Sequence, residues 1–418
     1  MNYDHSEALD NLWSSLSSDD IKSLDSRATF GLNDKAGLAL FERSTPTVNK
    51  VEAGELLDVG AKLPHLVSDE RVRLDVQLNK LAHSLSGDER FNVNTSIGEG
   101  TYGRVWHVID RDLKRSVAIK TFKGPTNDAQ SICEEEVKFV GRLDHPSIPT
   151  VYDMGVTDEG QPFLMMELLE GEGLDIIINR LRSGDAFTHQ RYSFVKRADI
   201  IIQLLRVLVK SHEVDVLHRD IKPENILISS DGHLSLIDWG CAVELCDVKE
   251  RSQVCGTPLF MAPEQILGTG LSAASDLFSV GAVAYELFCL RPPAPTEGTI
   301  HDVLRAVLTH EPDQVDQIHH PAQGYVPSEF YVTIMRALRR KPLERPQSAQ
   351  EMMIMLQRAL DGHIDIVCPR TRIKSTLARF SRWIDRDPYK SVPYFYLTLV
   401  FIIALLVAIG VMIGALVF

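Results

Sequence analysis

Apolar and polar positions along the 418-residue chain form three kinds of pattern. Short apolar runs with β-branched residues, bounded by polar or glycine positions, recur in the middle of the chain and predict buried strands. Val117, Ala118 and Ile119 make one such run, ending in Lys120; Leu234, Leu236 and Ile237, with Ser235 among them, make another that runs into Asp238, Trp239 and Gly240. IGEGTYGRVWHV, residues 97–108, places three glycines between two β-prone segments. Apolar spacing near the helical period marks VRLDVQLNKLAHSL, residues 72–85, as amphipathic helix after a loose start rich in Ser and Asp, and EEEVKFVGRL, residues 134–143, as a helix broken by His145 and Pro146. The third pattern is continuous. From Tyr394 to Phe418 there are 25 residues without a charge, whereas a helix of about 20 crosses the bilayer hydrocarbon. This predicts a C-terminal transmembrane helix; a buried core helix would be shorter and interrupted by polar positions.

Composition adds a large body to these ends. The 44% hydrophobic and 24% charged content is that of a globular protein, and the length suits one big domain with appendages. A net charge of -13 argues against nucleic acid as partner, since phosphate binding needs a basic surface. The charge is uneven: residues 370–390 carry seven Lys or Arg against Asp385 and Asp387, a local +5. Such a collar stays on the cytoplasmic side of a membrane span, with Tyr394, Phe395 and Tyr396 at the interface. The expected protein is therefore single-pass, held in the lipid bilayer by residues 394–418 with its body cytoplasmic and nothing beyond the span. Gly410 and Gly414, at G-x-x-x-G spacing, could bring two such helices together as a homodimer. The acidic start has no apolar run behind it and resembles no secretory signal. Six scattered cysteines with no C-x-x-C pair suggest reduced, buried or idle thiols rather than a disulfide frame or metal site. There is no internal repeat.

Candidate chemistry concentrates between residues 91 and 360. Gly98, Gly100 and Gly103 form G-x-G-x-x-G-x-V, where glycine lets backbone amides approach phosphate oxygens and Val105 can cover an adenine. The same spacing marks dinucleotide folds, but there the glycines open a helix, and Arg104 to Ile109 continue here as a strand. Lys120 could be an ordinary solvated strand edge. Alternatively, a glutamate on the helix that follows, Glu134, Glu135 or Glu136, pairs with it and holds the ammonium against nucleotide phosphates. In VLHRDIKPENILIS, residues 216–229, Asp220 is placed to accept a proton from an incoming hydroxyl, Lys222 to neutralise a transferred phosphoryl group and Asn225 to bind a metal through its amide oxygen. Thirteen residues later Asp238 supplies a hard oxygen suited to Mg²⁺.

HRDIKPEN, with GTPLFMAPE at residues 256–264, resembles the eukaryotic-type serine/threonine protein kinases, in the bacterial-like form, over roughly residues 91–360. The resemblance implies an α+β bilobal fold: a small β-rich lobe to about Glu167, then a larger helical lobe. It implies ATP and Mg²⁺ as cofactors and protein substrates. The nucleotide would lie against Ile97, Gly98, Glu99, Gly100, Thr101, Tyr102, Gly103, Arg104, Val105, Ala118 and Lys120, with Leu227 beneath the adenine. The backbone of Glu167 and Leu169 would hold that ring, and Met166 would be the gatekeeper. Glu136, by its offset from His145, would be the partner of Lys120. Asp220, Lys222 and Asn225 would be catalytic, with Asn225 and Asp238 on the metal. Glu264 would pair with Arg345, Asp276 would brace the catalytic loop, and Thr257 would contact Asp220 and Lys222. Trp239 departs from the usual Phe, but a large aromatic keeps the same packing role beneath the Glu136 helix. Arg219 suggests a phosphate acceptor in the segment before Thr257, where Ser252 is the hydroxyl available. Residues 178–200 look like a basic, loop-like insertion, a docking surface or simply a solvated face.

The domains expected are a regulatory or partly disordered extension (1–90), the kinase domain (91–360), a basic juxtamembrane linker (361–393) and the span (394–418). Two alternatives stand beside an active enzyme: an inactive kinase-fold scaffold at the membrane, and a small-molecule kinase. The presence of Lys120, Asp220, Asn225 and Asp238 disfavours the first, and the GTPLFMAPE segment the second.

Overall fold

The structure is a computed structural model that describes residues 90–99, 103–122, 126–157, 160–245, 255–363 and 376. The expected N-terminal extension (up to residue 89), the linker except residues 361–363 and 376, and the span at 394–418 lie outside the described residues, as do Gly100, Thr101, Tyr102, Ser252 and the dimer pair Gly410 and Gly414.

The N-terminal lobe is a five-stranded antiparallel sheet in the order β1-β2-β3-β5-β4, formed by β1 (Phe91–Glu99), β2 (Gly103–Asp110), β3 (Arg115–Phe122), β4 (Val151–Val156) and β5 (Pro162–Glu167). The glycine segment is thus a hairpin between strands, not the start of a helix. Strand side chains alternate between faces, and β3 shows both faces covered. Val117 and Ile119 pack with Trp106, Val108 and Met165 on one side, while Phe122 joins Ala129, Cys133 and Leu164 on the other, under helix α1 (Thr126–Val140). Lys120 shares the parity of Phe122, so the strand itself aims its ammonium at α1.

The C-terminal lobe is mainly helical. Its elements are α2 (Leu174–Arg182), α3 (Ala186–Arg191), α4 (Phe194–Glu213), the short α5 (Pro263–Ile266), α6 (Ala273–Cys289), α7 (Ile300–Thr309), α8 (Tyr331–Ala337) and α9 (Ala349–Leu360). Helix α6 is buried along nearly its whole length, as its sequence AASDLFSVGAVAYELFC requires, and α4 packs on it and on α9. Between the lobes lie a small sheet, β6 (Glu172–Gly173), β8 (Ile226–Ile228) and β9 (Leu234–Leu236), and the pair β7 (Val216–Leu217) with β10 (Val243–Glu244). A last hairpin joins β11 (His319–His320) to β12 (Gly324–Tyr325). No helix among the described residues is long and apolar enough to cross a membrane.

Two expectations are corrected. Residues 178–200 are not a loop-like insertion but the end of α2, all of α3 and the start of α4. Asp185 and Ser193 cap α3 and α4 by accepting from the backbone N–H groups of Thr188 and Lys196. Arg180, Arg182, Arg191 and Lys196 are exposed, and Arg197 is structural. Arg197 is 1% exposed and donates to the carbonyls of Tyr192 and Leu287 and to Gln323; Arg182 reaches Glu286 and the Leu290 carbonyl. Second, the thiols are not all reduced: Cys241 and Cys255 form a disulfide, while Cys133 and Cys289 are free and buried.

Candidate active site

The glycines at the hairpin have distinct reasons. At Gly103 a Cβ would lie 2.0 Å from the Thr121 carbonyl, so its role is close approach of β2 to β3, whereas Gly98 opens onto free space. Ile97 is half exposed beside it. Arg104 and Val105 pair with Thr121 and Lys120, and Ala118 pairs with Met166 on β5. These residues line the sheet side of the cleft. Glu167 closes β5, donating its N–H to the Thr150 carbonyl, and Leu169 follows it into the connection between lobes. On the other side Leu227 sits in β8, opposite Gly173 and Ser235.

Lys120 sits at the head of the cleft. Its Nζ donates to both carboxylate oxygens of Glu136 at 2.7 Å and to Asp238 Oδ1 at 2.9 Å. The partner on α1 is thus Glu136, not Glu134 or Glu135. Burial alone would lower the ammonium's pKa, but the carboxylates of Asp238 and Glu136 outweigh it and raise it above the ordinary lysine range. Burial likewise works against the Asp238 carboxylate, and Lys120 more than offsets it, holding Asp238 well below the usual carboxylate range. Asp238 is therefore ionised.

The loop from His218 to Asn225 supplies the opposite wall. Asp220 Oδ1 accepts from Thr257 Oγ1 at 2.8 Å; Oδ2 lies 3.0 Å from Lys222 Nζ and accepts from Asn225 Nδ2 at 3.3 Å. Lys222 also donates to Thr257 Oγ1 at 2.9 Å. The loop is fixed from below by Asp276 of α6, whose oxygens accept from the backbone N–H groups of His218 and Arg219 at 3.0 Å and lie 2.9 Å from His212 Nε2. Burial pushes His218 below its ordinary range. A neutral ring fits its contacts: Nε2 donates to the Ile237 carbonyl and Nδ1 accepts from the Asp220 N–H, each at 3.3 Å. Arg219 and Asp238 both hold left-handed φ, 63° and 62°, a strained conformation for non-glycine residues that the surrounding contacts maintain.

Trp239 is 1% exposed and belongs to the same core cluster as Phe139 of α1; its ring meets His218 edge-on at 4.6 Å and its Nε1 donates to the Leu236 carbonyl. The tryptophan next to Asp238 in the chain thus packs into the core against His218. Glu264 and Arg345 form the expected pair, two contacts of 2.7 Å fully buried behind the site. Sequence reasoning did not single out Glu224, whose Oε2 is buried without a hydrogen-bond partner and whose pKa burial raises to about 7. Nor did it find the roles of His212 and His218; His218 opens the HRD segment, and the only signal for His212 was its place six residues before it.

A divalent cation fits the donor set by its chemistry. Asp238 and the Asn225 amide offer hard oxygens, while among the described residues no cluster of three or more His, Cys, Asp or Glu could hold a metal unaided. That combination suits Mg²⁺, which takes one or two protein oxygens and completes its shell with phosphates and water.

Residues 91–355 match the protein kinase domain family. The chain belongs to that family. It is 30% identical over 283 residues to a probable serine/threonine-protein kinase of Streptomyces coelicolor, covering 65% of this chain and 40% of that protein. It is 31% identical over 284 residues to the serine/threonine-protein kinase PknA of Mycobacterium tuberculosis, covering 62% of this chain and 64% of PknA. A serine/threonine-protein kinase of Myxococcus xanthus, pkn3, is 29% identical over 285 residues, 64% of this chain and 49% of that protein. The chain thus spans less than two thirds of the length of each of these relatives.

Proposed function

We propose that the protein is an ATP- and Mg²⁺-dependent serine/threonine protein kinase that transfers the γ-phosphoryl group of ATP to protein hydroxyls at the cytoplasmic face of a membrane. The observation that carries this reading is the convergence of Thr257 and Lys222 on Asp220 in the same cleft where Lys120 joins Glu136 and Asp238. Family membership and the serine/threonine kinase relatives support it.

Asp220 acts as the base. Thr257, Lys222 and Asn225 between them engage both its oxygens, so the carboxylate is oriented before a substrate arrives and needs no reorganisation to accept a hydroxyl proton. Lys222 sets a positive charge where the transferred group gains negative charge. Lys120, held by Glu136, presents its charge to nucleotide phosphates, exchanging its contact with Asp238 for them; Asn225 and Asp238 would hold the metal, which when bound would neutralise phosphate oxygens. Ile97, Val105, Ala118 and Leu227 cover the adenine, with Glu167 and Leu169 offering backbone groups to its edge. Gly98, Glu99, Gly100, Thr101, Tyr102, Gly103 and Arg104 are assigned to binding of the nucleotide.

The same proposal assigns residues 1–90 to a regulatory extension, 361–393 to a basic juxtamembrane linker and 394–418 to a single bilayer span, through which Gly410 and Gly414 allow a homodimer. Purified protein should incorporate label from γ-labelled ATP into a general protein substrate only with Mg²⁺ present, and acid hydrolysis should return phosphoserine or phosphothreonine. Label on tyrosine alone would contradict the serine/threonine assignment, and no label at all would contradict the proposal and favour the scaffold.

A further inference from the structure

Cys241 directly follows Gly240, three residues after Asp238, and Cys255 stands two residues before Thr257, which bonds Asp220. Their sulfurs are joined, with Cα atoms 6.0 Å apart across a sequence separation of 14. Both ends of the bridge are tied to the catalytic loop. The Cys241 carbonyl accepts from Arg219 Nε at 2.6 Å. The Cys255 carbonyl accepts from Gln265 Nε2 at 2.5 Å, and the same amide nitrogen donates to the Arg219 carbonyl at 2.7 Å. Gly256 adopts φ +126°, where a Cβ would come within 2.7 Å of the Arg219 carbonyl, so the strand of chain beside Cys255 lies against Arg219 as closely as backbone allows. The bridge therefore links the carboxylate on the metal side to the hydroxyl on the substrate side, with Arg219 between them. The free thiols of the described residues are poor competitors: burial pushes Cys133 up to about 11 and Cys289 up to about 12, so neither is a thiolate at neutral pH.

We propose that Cys241 and Cys255 are a redox modification site: closed as a disulfide, the pair clamps Asp238 and Thr257 around the catalytic loop and supports phosphotransfer; opened to two thiols, it lowers it. This rests on the phosphotransfer reading above. The oxidant is a small disulfide such as oxidised glutathione. One cysteine thiolate attacks a glutathione sulfur, expelling one glutathione thiolate and leaving a mixed disulfide; the second cysteine thiolate attacks the protein sulfur of that bond and expels the other. Two electrons pass to glutathione, and the two protons given up by the cysteines are taken up by the two expelled thiolates, which leave as reduced glutathione. A dithiol reverses the sequence. Both cysteines are buried, so exchange follows opening of the segment and needs time to equilibrate.

The test uses the full chain equilibrated in oxidised and in reduced glutathione, with peptide mapping under non-reducing conditions and activity measured on the same samples. The oxidised sample should give a Cys241–Cys255 cross-linked peptide. On reduction turnover should fall about tenfold, with the KM for protein substrate rising and nucleotide affinity kept, and oxidised glutathione should restore it. The Cys241→Ser, Cys255→Ser double variant should sit at the reduced level and respond to neither buffer; the wild-type comparison needs no variant and stands if the variant fails to fold. Two free thiols in the oxidised sample, or a different pairing, would overturn the site. Equal rates in both states with the bridge mapped would overturn its coupling to catalysis. No turnover in either state would remove the phosphotransfer reading and the coupling with it, leaving the mapping to decide the bridge alone.

Discussion

Glu224 shows how one residue of the catalytic loop carries a pH dependence. Its carboxyl is raised by burial to about 7 from an ordinary 4.5, and its buried Oε2 has no hydrogen-bond donor. Between those values the folded protein binds more protons at this position than the unfolded chain, so stability falls as pH rises through the window. Glu224→Gln removes the ionisation and keeps the shape. The variant should therefore gain thermal stability relative to the parent at pH 8 and show little difference at pH 4; a pH-independent difference in unfolding midpoint would contradict the assignment. Asp238 has the opposite sign. Its pKa is held below the ordinary range chiefly by Lys120 against the cost of burial, so its contribution is present above the unfolded carboxylate value and is lost as acid protonates it.

Elements set which of these residues meet. The alternation of β3 alone sends Lys120 to the α1 side, and that much was legible once the strand was recognised. So was the loop from His218 to Asn225, because HRDIKPEN packs several demanding chemical roles into a few positions. The helices over residues 178–200 were not, because their basic residues suggest solvent while Arg182 and Arg197 in fact donate to carbonyls of α6 and its end. The signal was there in Asp185 and Ser193, each capping an amide three residues on. The disulfide was illegible for a different reason: a spacing of 14 says nothing about distance until β9, the Asp238 turn and the Gly256 approach bring the two ends together. Helix α6 and the α5 turn are joined by Glu264 and Arg345, where the guanidinium also donates to the Ala274, Arg339 and Arg340 carbonyls. Arg345→Ala would strand a buried carboxylate, and the expected cost is about 3–5 kcal/mol. Arg345→Lys should recover little of it, since an ammonium cannot form the two parallel bonds. Chemical denaturation measures both; full rescue by lysine would contradict the geometry.

At the scale of the whole molecule, the described residues place both walls of one cleft in the same body, with the sheet lobe supplying Lys120 and Glu136 and the helical lobe Asp220, Lys222, Asn225 and Asp238. If residues 394–418 are the bilayer anchor, deleting 391–418 should leave this cleft intact and move a still active protein to the soluble fraction; retention in the membrane fraction would count against the anchor. The account as a whole turns on Asp220 as proton acceptor within a cleft that binds nucleotide independently of it. Asp220→Asn keeps the side chain's size and removes its basicity. The most direct measurement is single-turnover phosphotransfer, with nucleotide affinity on the same samples. The account predicts a rate lowered about 10²- to 10⁴-fold with ATP affinity nearly unchanged; a variant that transfers phosphate as fast as the parent would contradict it.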